Sequence, residues 1–285
     1  MTLEAQFEEH QGIFVPKHHS RHRDEEYDET GFDVLLQMQR EHFWYRGRHE
    51  LLLKVLKKET LRNFRKTDGL RAIDMGGGCG GWLEYLHTHD AGLFQELALA
   101  DSSIRALSLA EPVVGSFAAR YQIDLLDLVW SEDWDVVFLL DVLEHIPEHR
   151  RALEQVRKSM RPGGLLFVTT PALKQFWTYN DDLAHHQRRY CKQDFRELAD
   201  AVGLELLRTD YFMFLLSPAL VLSRMFSRPP ASATAEQLRE HLARTHRIPA
   251  RPVNAMLARA FSIEALMVNR VAFPWGTSIL AVFRR

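Results

Sequence analysis

One run constrains the fold of this chain more than any other: Arg71-Ala72-Ile73-Asp74-Met75, then Gly76-Gly77-Gly78-Cys79-Gly80-Gly81, then Trp82-Leu83-Glu84-Tyr85-Leu86. A short apolar segment ending in an acid reads as a strand, the glycines as a tight turn, and the spaced apolar residues after them as a helix. Five glycines in six positions let the backbone take positive φ and approach a ligand closely, so the turn predicts a loop that wraps a cofactor.

Two kinds of cofactor compete for such a loop. Gly76-x-Gly78-x-x-Gly81 formally satisfies the dinucleotide fingerprint, with Asp101 about 20 residues further on as the ribose acid. Asp74 weighs against that reading. A carboxylate at the mouth of the loop repels a pyrophosphate by roughly 1 to 4 kcal/mol at 4 Å, whereas a cationic ligand removes the conflict.

The pattern Asp74-x-Gly76-x-Gly78-x-Gly80 resembles motif I of the class I S-adenosylmethionine-dependent methyltransferases, whose cofactor carries a sulfonium and an ammonium. The resemblance implies S-adenosyl-L-methionine as cofactor, with Asp74, Gly76, Gly77 and Gly78 around it. It also implies a doubly wound, mostly parallel, seven-stranded Rossmann-like α/β sheet of order 3-2-1-4-5-7-6. N-terminal helices and a C-terminal helical insertion before the last strand complete that expectation.

Further landmarks follow in order. Leu97-Ala98-Leu99-Ala100-Asp101 is a second apolar run ending in an acid; in the family such an acid accepts the ribose hydroxyls, which places Asp101 and Ser102 at the cofactor. Asp101 also suits a helix N-cap. By the same resemblance Asp124, with Leu125 beside it, meets the adenine amino group. The strand Trp134 to Leu140 ends in Asp141, and the segment from Asp141 to His145 lines the methionine end. A helix from Glu148 to Met160 precedes the breaker Arg161-Pro162-Gly163-Gly164 and the strand Leu165 to Thr170. Strands alternating with helices from 70 to 170 imply right-handed parallel crossovers, with ligands at the carboxyl ends of the strands.

Upstream, residues 31 to 66 read as two helices joined near Gly47. Glu41-His42-Phe43-Trp44-Tyr45-Arg46-Gly47-Arg48 resembles the helical segment with which one methyltransferase subgroup covers its cofactor, which makes Trp44, Arg46 and Arg48 site candidates. Core packing accounts for Phe43 and Trp44 equally well. Downstream, residues 171 to 190 form a long link that leaves the fifth strand, where the methyl acceptor is expected, and close with His185-His186-Gln187-Arg188-Arg189-Tyr190. His145, His186 and Tyr190 are the candidates for a base, should the acceptor carry a proton; capping of the helix from Lys192 onward is the structural alternative for His185 or His186.

The remaining segments are framed by composition. Residues 1 to 30 hold eight acidic and three basic groups without hydrophobic period and read as a polar tail. Its histidines, His18, His19 and His22, have nothing to fix a ligand geometry, so no metal is expected. Residues 67 to 210 form the cofactor-binding core, 211 to 268 a helical insertion covering the acceptor, and 269 to 285 a last strand returning to the sheet. Tyr211 to Leu222 is strongly apolar but interrupted by Pro218 and too short to span a bilayer. It fits a buried helix, an acceptor pocket, or a peripheral membrane contact through 211–228 reinforced by the arginines that follow. Loop residues at 227–235 and helices near 235–245 and 252–268 continue the insertion.

Only Cys79 and Cys191 are present, which fits a reducing cytoplasm, and Cys79 inside the glycine loop reads as a packing choice. No apolar signal segment precedes the acidic start, so secretion is not expected. A formal charge of −2 without an aromatic-interleaved basic strip argues against nucleic acid as a partner. The expectation is a cytoplasmic enzyme that moves a methyl group to a small-molecule or lipid-linked acceptor. A nicotinamide-dependent sugar or alcohol oxidoreductase, or a non-enzymatic docking protein with a vestigial cofactor fold, are the alternatives.

Overall fold

The computed structural model describes residues 6–17, 31–67, 69–226 and 247–285. The histidines at 18, 19 and 22, and the loop and helix expected across 227–245, lie outside the described residues.

One mixed sheet organises the chain. Its strands are β1 (Phe7–His10), β2 (Ile13–Pro16), β3 (Leu70–Met75), β4 (Phe94–Asp101), β5 (Ala118–Gln122), β6 (Trp134–Leu140), β7 (Met160–Pro171), β8 (Glu205–Phe212) and β9 (Ser278–Arg284). They lie in the order β1-β2-β5-β4-β3-β6-β7-β9-β8. The segment from β5 to β8 has the expected seven-strand order, with β9 antiparallel to both β7 and β8.

Two strands were not anticipated, and they correct the reading of residues 1 to 30 as a polar tail. β1 and β2 form an antiparallel hairpin that extends the sheet by parallel pairing of Ile13 and Phe14 with Arg120 and Tyr121 of β5. Gln11 and Gly12 both take positive φ (53° and 74°), the conformation that a two-residue hairpin turn matching strand twist requires. Phe7 anchors the hairpin, its ring 5.1 Å from Tyr121 and 5.7 Å from Trp130. Its apolar content is short enough to be hidden among the surrounding charges.

Helices cover both faces because the central strands are buried on both sides. Along β6, Val136, Phe138 and Leu140 face one layer and Val137 and Leu139 the other. The first layer holds α2 (Phe43–Asn63), α3 (Gly81–Asp90) and α10 (Arg251–Met267); the second holds α6 (His149–Ser159) and α8 (Lys192–Val202). The shorter helices α4 (Ile104–Leu109), α5 (Glu111–Val114), α7 (Tyr179–Leu183) and α9 (Ser217–Phe226) fill the crossovers and the wall of the site.

The N-terminal pair of helices breaks five residues earlier than expected. α1 (Gly31–Glu41) ends before His42, whose ring Nδ1 accepts the N–H of Trp44 at 3.2 Å and caps α2. Gly47 lies within α2, where a Cβ would sit 2.1 Å from Phe261 Cδ1. The glycine permits close packing against α10; it does not end a helix.

The apolar run at 211–222 divides four ways. Tyr211 and Phe212 finish β8, Leu216 is buried, Met213 and Leu220 face the central cavity, and Leu215 and Leu222 are exposed. Among the described residues, no helix is long and apolar enough to cross a membrane.

Candidate active site

The carboxyl ends of β3, β4, β6 and β7 open into one cavity of about 1040 Å³, closed from above by α1, α2 and α7. At one end lies the glycine loop. Gly78 takes φ +55°, and its N–H donates to Asp101 Oδ2 at 2.9 Å, so β4 fixes the loop of β3. At Gly77 a Cβ would lie 2.5 Å from Asp74 Oδ2, so only glycine leaves room for that carboxylate.

Asp74 is 1% exposed, and its Oδ1 has no hydrogen-bond partner. Burial pushes its carboxyl up to about 7, against the opposing pull of the Arg48 charge and with the Asp101 charge adding to the rise. A buried carboxylate oxygen without a partner costs free energy unless something positive or hydrogen-bonding meets it. The cradle, the bare backbone and this acid therefore fit a ligand that brings positive charge.

Asp101 Oδ1 also accepts the N–H of Ser103 at 2.9 Å, while Ser103 itself caps α4, its hydroxyl accepting the N–H of Ala106 at 3.1 Å; Asp101 faces the cavity together with Ser102. The cap expected at Asp101 therefore falls two residues later, because the chain enters the helical conformation only after Ser103. Asp124 Oδ1 accepts the N–H of Leu126 at 2.9 Å, which presents Asp124 and Leu125 at the same wall.

Opposite the loop, Arg48 is almost fully buried, its guanidinium 4.7 Å from the Trp44 ring centroid and 5.2 Å from that of Tyr45. It pairs with Asp141, which β6 delivers in a left-handed conformation, φ +60°. Cation–π stacking and the ion pair hold the guanidinium in place. Arg48 Nε lacks a partner. Arg46, expected beside it, is exposed and outside the cavity: at two residues' separation along a helix the side chains point about 200° apart, so Arg46 and Arg48 cannot share a face.

The other end gathers Glu144, His145, Asp181, His186 and Arg189. His186 Nδ1 lies 2.9 Å from Asp181 Oδ1. Arg189 donates to both oxygens of Asp181, at 2.7 Å and 3.0 Å, and the Thr178 N–H donates to Oδ2 at 2.7 Å. Burial by itself would push the Asp181 carboxyl up, but the hydrogen bonds from His186 and Arg189 and the Arg189 charge outweigh it and hold the group well below the usual carboxylate range. The His145 and His186 rings meet edge to face at 4.8 Å.

Glu144 is fully buried, with both carboxylate oxygens unpartnered; burial, with the Asp141 charge beside it, pushes it well above the usual range. Glu144, His145 and His186 can each bring a donor atom within 4.8 Å of the others. That limit is looser than the roughly 3.5 Å between ligands of one tetrahedral zinc ion, and one His186 nitrogen is already held by Asp181. The arrangement suits proton handling.

Tyr190 does not join this cluster. It is buried beneath the site, its hydroxyl 2.7 Å from His149 Nδ1 and donating to the Leu143 carbonyl at 3.2 Å, while its ring stacks on Phe195. Burial raises its phenol above the ordinary value. Its alternating partner Arg189 turns to the cavity instead. Cys79 is also buried, its thiol pushed up to about 12 by burial, in keeping with a packing role.

Sequence reasoning covered Glu144 only as part of the segment Asp141 to His145, and it did not single out Asp181, Arg189, Tyr45 or His49. A signal existed for Asp181: Thr178-x-x-Asp181 is a capping-box spacing just ahead of the histidines. What singles out Glu144 within its segment is its burial, which no local pattern displays.

Comparison with known proteins agrees with this geometry. The profile described as "Methyltransferase domain" matches residues 36–209, more than half of the chain. A ubiquinone biosynthesis O-methyltransferase of Hydrogenovibrio crunogenus is 26% identical over 128 residues, covering 40% of this chain and 48% of that protein. Phosphoethanolamine N-methyltransferase 2 of Caenorhabditis elegans is 27% identical over 187 residues, covering 61% of this chain and 40% of that protein. The chain thus spans about half the length of the curated relatives it matches. In fold it is similar to the Haemonchus contortus phosphoethanolamine N-methyltransferase 2 solved with S-adenosyl-L-methionine, with TM-score 0.56, 17% identity, and 95% of this chain and 61% of that one covered. By its glycine loop, its strand order and this match, the chain belongs to the class I S-adenosylmethionine-dependent methyltransferase family.

Proposed function

We propose that this chain transfers the methyl group of S-adenosylmethionine to a hydroxyl or amine of a small molecule bound between Glu144, His145 and His186. The observation that carries the reading is that one cavity joins the glycine loop with its unpartnered Asp74 to a histidine held by a buried carboxylate.

When bound, the cofactor supplies a methyl group already activated on a sulfonium. The chain's residues bind, orient and move a proton. Asp74 and the backbone of Gly76, Gly77 and Gly78 would meet the amino-acid end, with Arg48, Trp44 and Asp141 closing over it. Asp101 and Ser102 would take the ribose, and Asp124 and Leu125 the adenine. Holding two reactants in line contributes about 7 to 11 kcal/mol of barrier reduction, so positioning is the largest task.

His186 is the group we assign to the acceptor's proton. Asp181 accepts from Nδ1–H, which fixes the tautomer and leaves Nε2 as the basic nitrogen; Asp181 and Arg189 are positioning residues for it. His145, at ring contact, is the second candidate. The lipid-linked form of the acceptor is supported by the apolar stretch of wall from Met213, Leu220 and Leu257. The nicotinamide alternative has less support, because a pyrophosphate at the loop would face buried Asp74.

The test is an assay of S-adenosylhomocysteine release from the full chain, using catechols as hydroxyl acceptors and phosphoethanolamine as the amine. Release with one class and its loss in His186→Ala is the expected result. A chain that binds the cofactor and methylates neither class contradicts the assignment of the acceptor end.

A further inference from the structure

We infer that the outward face of α10 docks on an anionic lipid surface. α10 is anchored through its inner face. Phe261, Glu264 and Ala265 are buried, Asn254 bonds the ends of α1 and α2, and the Glu264 carboxylate accepts the N–H groups of Phe214 and Leu215, each at 3.1 Å. With that side committed, a second apolar side remains outside. Met256, Ile263 and Leu266 are 61%, 54% and 62% exposed. Together with Arg259 they recur at steps of three, four and three, which lays Met256, Arg259, Ile263 and Leu266 along one stripe of α10, with exposed Arg270 in the turn that follows it.

The charge on the stripe selects the occupant. Between 251 and 272 the acidic side chain is Glu264, and it is buried, so every exposed charge there is an arginine. Apolar side chains interleaved with arginines on a helix face suit the headgroup boundary of a bilayer, where the former enter and the latter meet lipid phosphates. A second copy of the chain is the rival. Pairing α10 with itself would bury Arg259 in the middle of the seam with no acid on either face to receive it. Because Leu257 of the same helix lines the cavity, docking would set the wall of the site against the lipid.

Flotation of the full chain with phosphatidylcholine vesicles, with and without phosphatidylglycerol, tests this. The expected result is flotation on the anionic vesicles, loss of it in Met256→Ser/Ile263→Ser/Leu266→Ser, and about fivefold weaker partitioning for Arg259→Gln at unchanged melting temperature. Arg259→Gln removes charge without touching the apolar residues, so it tests the inference even if the triple variant folds poorly. No flotation on anionic vesicles, equal flotation of the variants, or a dimer that the triple variant converts to monomer would overturn it. Flotation needs no cofactor, so its failure leaves the methyl-transfer reading standing.

Discussion

His186 donates to a carboxylate that is itself clamped: Asp181 receives His186 Nδ1 at 2.9 Å and the Arg189 fork at 2.7 Å and 3.0 Å, all within nine residues of chain. The clamp makes the imidazole orientation a property of the 171–190 link and not of the ligand. General base catalysis is worth about 10²- to 10⁴-fold. His186→Ala is therefore expected to lower kcat by that order while leaving cofactor affinity unchanged, as measured by single-turnover kinetics beside equilibrium binding.

Asp181→Asn removes the charge and keeps the shape. Breaking a buried pair costs about 3–5 kcal/mol, which chemical denaturation will report. The sign with pH follows from the direction of the shift. A carboxyl held below its unfolded value contributes stability that is present above the unfolded pKa and lost as pH falls through the folded one. The wild-type advantage over Asp181→Asn should be full at neutrality and shrink in acid.

Asp74 works in the opposite sense. Its folded value, pushed up to about 7, lies above the unfolded one, so ionising it disfavours the empty fold as pH rises through 7. A cationic ligand binds the ionised form. Affinity for S-adenosylmethionine should therefore weaken as pH drops below about 7, by up to tenfold per unit, and Asp74→Asn should bind weakly with a flat profile. Calorimetric titration at pH 6, 7 and 8 measures it.

Tyr190→Phe separates framework from chemistry. The hydroxyl sits in the core with Leu143 and His149, away from the cavity, so its removal should cost about 1 kcal/mol of stability and leave kcat intact. Thermal melting and turnover on the same preparation check both halves.

Gly47→Ala pits two effects against each other. Alanine gains about 1 kcal/mol of helix propensity, but its Cβ would lie 2.1 Å from the fully buried Phe261 ring, and overpacking of this kind costs about 1–3 kcal/mol. Since neither α2 nor the ring has room to retreat without parting from α10, overpacking should win and the melting temperature should fall.

The same glycine marks where sequence ceases to be legible. The strand-loop-helix at 71–86 and the acids at 74, 101, 124 and 141 can be read because each rests on local order: an apolar run, its terminal acid, the following turn. Gly47 cannot, since the reason for it is Phe261, 214 residues away. The hairpin at 7–16 was hidden for a related reason, because its pairing is with β5, although Gln11-Gly12 held a usable turn signal. Spacing named His186 and Tyr190 alike, and only packing separates them. Glu144 lay inside the expected cofactor segment, and only its burial sets it apart from its neighbours.

The claim beneath these predictions is that the cavity beside Asp74 receives S-adenosylmethionine. Isothermal titration of the full chain with S-adenosylmethionine, S-adenosylhomocysteine and NAD tests it most directly. Saturable one-site binding of the first two and none of NAD is the expected result. Binding of NAD that excludes S-adenosylmethionine, or heat from none of the three with a folded chain, would contradict it.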